Sequence, residues 1–74
     1  MDLSRVIQGR QALADGTGKA LRRQAGLSLA ELAAAVGVNA ATVYRWEQGT
    51  TRPSADAAER YALALETLRL VVAA

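Results

Sequence analysis

The chain has 74 residues, a formal net charge of +2, and neither cysteine nor histidine. A chain this short holds one small core that a second subunit often supplements. The missing thiols and imidazoles rule out disulfides, the usual zinc ligands and the commonest general base, so no enzyme activity, metal, cofactor or small-molecule ligand is expected.

Seventeen alanines and no phenylalanine point to an all-α protein whose core is built from Leu, Val, Ile, Trp46 and two tyrosines. "LSRVIQGRQALA" predicts a first helix over residues 3–14, with Leu3, Val6, Ile7, Leu13 and Ala14 on one face and Gly9 weakening it. The glycines of "DGTG" break that pattern, and "KALRRQAG" then gives one or two turns with Leu21 inward, ending at Gly26. "GTGKA" is not a phosphate-binding loop, because Leu13 and Ala20 stand where that motif needs Gly and Ser or Thr.

In "LSLAELAAAVG", Ser28 is a natural N-cap, Glu31 completes a capping box and Gly37 stops the helix, with Leu29, Leu32, Ala33 and Val36 facing the core. After "VN" a fourth helix opens on Asn39 as cap and runs to Gln48, where Gly49 ends it. Two short helices joined by a glycine-containing turn make a helix-turn-helix.

Pro53 and Ser54 then form a loop and cap, with Asp56 in the first turn of a last helix that reaches about Val72. One stripe of it holds Ala58, Tyr61, Ala62, Leu65, Leu68 and Val72, while Leu63 and Leu70 lie on the opposite side. Leu63, Leu70 and Val71 are the candidate face for a homodimer, with internal packing, in part under helix 3–14, as the other use of that face. The final apolar run, Leu70 to Ala74, is far short of the roughly 18 residues a membrane span needs. "MDLSRV" lacks the layout of a signal peptide, so no membrane association and a cytoplasmic location are expected.

Charge is unevenly spread. Residues 19–52 hold Lys19, Arg22, Arg23, Arg45 and Arg52 against only Glu31 and Glu47. Within that basic stretch, a turn of roughly 100° per residue puts Val43, Trp46 and Glu47 on one side of the fourth helix. Ala41, Tyr44, Arg45 and Gln48 share the other side, with Ala40 at its edge. The apolar bulk fixes the first side as packed, so Trp46 is a core residue rather than a stacking platform. The second side looks outward with a guanidinium, a phenol and an amide, groups suited to base edges and phosphates.

The run from Leu21 to about Leu65, whose pattern shows over residues 21–54 as "LRRQAGLSLAELAAAVGVNAATVYRWEQGTTRPS", resembles the Cro/cI-type (xenobiotic-response-element family) helix-turn-helix domain. The resemblance rests on Arg22, "GLS", "ELA", "VGV", the T-x-x-x-W-E-x-G spacing from Thr42 to Gly49, and the Pro53 loop. Together with the helix read at 3–14 from periodicity, it gives one domain over residues 1–74: that N-terminal helix, a helix-turn-helix core at 18–65 and the end of the C-terminal helix at 66–74. The architecture so implied is a compact, lambda-repressor-like bundle of about five helices with an extra N-terminal helix and a long C-terminal one.

By the same resemblance the chain is a sequence-specific, double-stranded-DNA-binding transcriptional regulator of phage- or plasmid-repressor type, bacterial or phage-encoded, with residues 40–48 in the major groove. The other reading is a protein-interaction module, such as an antitoxin or accessory subunit, with secondary DNA binding. Glu47 pairs with Arg22 in a structural ion pair, as the matching residues do in the family. Base contacts fall to Ala40, Ala41, Tyr44, Arg45 and Gln48, with Arg45 the strongest candidate and a phosphate-only role its rival. Ala40 and Ala41 depart from the polar readers usual there and offer close approach or contact with a thymine methyl. Lys19, Ser28, Asn39, Thr42, Thr50 and Arg52 are the candidate phosphate contacts, capping being the competing role for Ser28, Asn39 and Thr42.

Overall fold

The computed structural model describes residues 1–74 as five helices and no strand. They are α1 (Leu3–Ala14), α2 (Thr17–Gln24), α3 (Leu29–Val36), α4 (Ala40–Gln48) and α5 (Ala55–Ala73). Short polar side chains set most helix starts by accepting from otherwise unpaired first-turn N–H groups. The Asp2 carboxylate caps α1, Asn39 caps α4 and Ser54 caps α5. At α3 the box is reciprocal: Ser28 Oγ accepts from Glu31 N–H at 3.0 Å, and Ser28 N–H donates to the Glu31 carboxylate at 2.9 Å. That bond holds the Glu31 carboxyl below its usual range.

Helix α2 begins inside the stretch read as a break. Asp15 Oδ1 accepts from both Thr17 N–H, at 2.9 Å, and Thr17 Oγ1, at 2.7 Å, while Gly16 takes the left-handed conformation (φ 82°) that lets the chain reverse.

The face of α1 differs from the expected one. Val6, Gly9, Ala12 and Leu13 are buried, whereas Leu3, Ile7 and Ala14 are exposed. Gly9 is the cause: a β-carbon there would collide with the Ala58 carbonyl of α5 and lie 3.5 Å from Ala62 Cβ. The two backbones meet at this small-residue contact, and the rotation it fixes turns Leu3 and Ile7 outward. Ion pairs then brace one flank of the crossing, with Arg5 on Glu66 at 2.7 and 3.2 Å and on Asp2 at 3.1 Å.

Helix α5 is the spine. Ala58, Tyr61, Ala62, Leu65 and Leu68 are buried along one stripe, which stops there, because Val72 lies beyond the last core layer and is 38% exposed. Around that stripe close Leu32, Ala33 and Val36 of α3, Val43 and Trp46 of α4, and Ala12 and Leu13 of α1. Burying each such Leu or Val side chain contributes about 1.5–3 kcal/mol. The Trp46 ring meets Tyr61 edge-on, with centroids 6.1 Å apart at 81°. Beyond it the Tyr61 hydroxyl abuts Gly18 of α2, leaving no room for a side chain there, and has no protein hydrogen-bond partner. Arg60 Nε donates to the Val36 carbonyl at 2.7 Å, tying the end of α3 to α5.

Candidate nucleic-acid interface

Helix α4 is split along its length. Val43 and Trp46 are buried at 0% and 4% exposure, while Ala41, Tyr44, Arg45 and Gln48 are exposed and Ala40 is half-buried at the edge. The packed side ends in a partly buried ion pair. Arg22 of α2 presents Nε and Nη2 to the two Glu47 oxygens at 2.8 and 3.0 Å, and Arg22 Nη1 donates to the Leu27 carbonyl at 3.0 Å. The two side chains are only 12% and 2% exposed. The bond to Glu47 raises the Arg22 pKa against the opposing pull of desolvation. Glu47 is therefore spent on holding α4 against α2, and its charge is neutralised within the fold.

At the start of α4, Asn39 Oδ1 accepts from Thr42 N–H at 2.8 Å and from Thr42 Oγ1 at 2.9 Å. Arg45 Nη2 in turn donates to Thr42 Oγ1 at 3.4 Å. Asn39 and Thr42 thus cap the helix, while the Asn39 amide nitrogen stays available as a donor. At the other end Gly49 (φ 76°) reverses the chain and Thr50 N–H returns to the Arg45 carbonyl at 3.0 Å. This closure delivers exposed Thr50, Thr51 and Arg52 beside the end of the outward face.

Lys19 and Ser28 stand on other elements, the first in α2 and the second at the cap of α3. Ser28 Oγ accepts from the helix but keeps its own proton to donate; the Glu31 carboxylate beside it disfavours an anion at that point. Lys19, Arg45 and Arg52 form no ion pair, so their charges are free to meet an outside anion.

One further residue joins this surface from outside the helix-turn-helix pattern. Arg10 of α1 donates from Nη2, at 3.0 Å, and from Nε, at 3.4 Å, to the Pro53 carbonyl. A groove of about 530 Å³ lies there, where Ile7, Arg10 and Gln11 face Gln48, Arg52 and Pro53. Sequence spacing gives no hint of this contact, since 43 positions separate the partners.

Leu63, Leu70 and Val71 are 44%, 75% and 58% exposed, so they are not packed inside the chain. Helix α1 does not cover them; it lies along the Glu66 side of α5. Leu63 instead borders an apolar groove of about 490 Å³ with Leu27, Leu32 and Ala64. No helix is long and apolar enough to cross a membrane.

A family model described as helix-turn-helix matches residues 19–70, leaving α1 outside the matched region. No curated protein and no solved structure gives a match.

Proposed function

The chain belongs to the Cro/cI-type (xenobiotic-response-element) helix-turn-helix family, and from that premise we propose that it is a sequence-specific transcriptional regulator of repressor or Cro kind. Family membership makes it a DNA-binding regulator. The reading of its surface rests on one observation: α4 buries Val43, Trp46 and the Glu47 carboxylate, and turns only Ala41, Tyr44, Arg45 and Gln48 outward.

In this reading α4 lies in the major groove of double-stranded DNA. Arg45 offers a fork that matches guanine O6 and N7, and Tyr44 and Gln48 reach base edges or phosphates on either side. Ala40 and Ala41 bring the helix backbone close to the groove floor, where their methyls meet a thymine methyl. Lys19, Ser28, Asn39, Thr42, Thr50 and Arg52 hold the sugar-phosphate backbone, Ser28 through its hydroxyl proton and Asn39 through its amide nitrogen at the start of α4. Leu63, Leu70 and Val71 pair two copies, because one module of this size buries only about 600–1,000 Å² on DNA.

Selection of duplexes from a random pool tests this. One recurrent half-site in two inverted copies is the expected product. Retention of duplexes with no shared sequence would leave a non-specific binder, and retention of none would favour a protein-interaction module instead.

A further inference from the structure

Between the end of α4 and the cap of α5, the chain is almost untethered. Thr50 is tied back to Arg45, and Ser54 caps α5 through Ala57 N–H. Thr51, Arg52 and Pro53 take part in no backbone-to-backbone hydrogen bond, and Pro53 has no N–H to give. The only polar link from this stretch to the rest of the fold is the guanidinium of Arg10, closed on the Pro53 carbonyl through two donors.

We propose that Arg10 is a positioning residue for DNA binding: α1, although outside the region that defines the family, holds the Thr51–Pro53 segment so that Arg52 meets a phosphate. This rests on the DNA-binding reading above. Pro53 is buried and Arg52 exposed, so anchoring the Pro53 carbonyl fixes the direction in which the preceding side chain leaves the surface. Arg10 Nε and Nη2 both converge on that carbonyl, and in this proposal the contribution of Arg10 passes through Arg52 rather than through a phosphate contact of its own. Without the clamp, Arg52 must be ordered at the moment of binding, and its contact is weakened by that entropy.

The test uses Arg10→Met, which keeps the apolar stem and removes the donors, with Arg52→Ala and the double variant. Binding to a mixed-sequence duplex is measured across a salt series. One phosphate contact changes log K by about 0.9 per tenfold change in salt, which is about eightfold at 0.1 M relative to 1 M. Arg52→Ala should lose about that much and lower the salt slope by about 0.9. Arg10→Met should lose part of it in the wild-type background and almost none once Arg52 is gone. Backbone relaxation of Thr51 and Arg52 in the free protein should report faster, wider motion in Arg10→Met.

Losses that multiply in the double variant would make Arg10 a phosphate contact itself and overturn the proposal. So would unchanged affinity, or unchanged loop relaxation, in Arg10→Met. Should Arg10→Met fail to fold, Arg10→Lys, with a single donating nitrogen in place of two, is expected to show a smaller loss of the same non-additive kind, and a multiplicative loss would again overturn it. If the wild-type chain itself binds no duplex, the failure lies with the DNA-binding reading, whatever the relaxation data show.

Discussion

Arg45 carries five N–H donors and uses one of them within the chain, on Thr42 Oγ1 at 3.4 Å. That contact is long enough to be exchanged for a base edge at little cost, and it holds the guanidinium back along α4 beside Thr42. Arg45→Ala should therefore weaken binding to the selected site by about 1–3 kcal/mol and relax preference at one base pair. A competition assay across single-base variants measures both, and an equal loss on every sequence would make Arg45 a phosphate contact. The side chains of α4 were legible in the sequence because a period of 3.6 residues separates Val43 and Trp46 from Tyr44 and Arg45 without ambiguity. Arg10 was not, because its partner is a carbonyl in a loop, and no spacing rule joins a helix to a carbonyl far along the chain.

At the scale of helices, α4 is seated by two kinds of contact: apolar packing of Val43 and Trp46, and the Arg22–Glu47 pair. Removing one member of this partly buried pair strands the other, so Glu47→Ala should cost more than the roughly 1 kcal/mol of an exposed pair and less than the roughly 3–5 kcal/mol of a fully buried one. Replacing both by methionine should cost less than either single change, since no bare charge remains, and denaturant unfolding of the three variants decides it. Helix α1 meets α5 through Gly9, and Gly9→Val should either unfold the protein or lower its thermal midpoint sharply, because the Ala58 carbonyl cannot yield to a side chain. The extent of α1 could be read from "LSRVIQGRQALA", but its buried face could not. Hydrophobicity ranks Ile7 above Gly9, whereas the packing of two backbones in contact needs the smaller residue inward. Helix α2 likewise starts early because Asp15 Oδ1, one residue before the Gly16 cap, accepts from the Thr17 N–H, a contact that glycine punctuation conceals.

Taken whole, the protein measures 29 × 25 × 22 Å, less in any direction than the roughly 34 Å between half-sites on one face of DNA. One copy cannot span two of them, which makes a second copy the economical route to useful affinity. Leu70 is 75% exposed, so Leu70→Glu should leave the thermal midpoint nearly unchanged while shifting sedimentation from dimer to monomer and weakening binding to inverted half-sites far more than to a single one. A dimer that survives Leu70→Glu would place the pairing surface elsewhere than the Leu63, Leu70 and Val71 face.

Trp46 is the only tryptophan in the chain and lies under α4 with Tyr61 at its edge. The molecule thus carries its own optical gauge. Emission from an indole at 4% exposure should be blue-shifted and slow to quench, and should turn red when α4 lifts away from α5. Because the outward residues of α4 are separate from this ring, a duplex bound as proposed would leave the signal to report the seating of the helix beneath it.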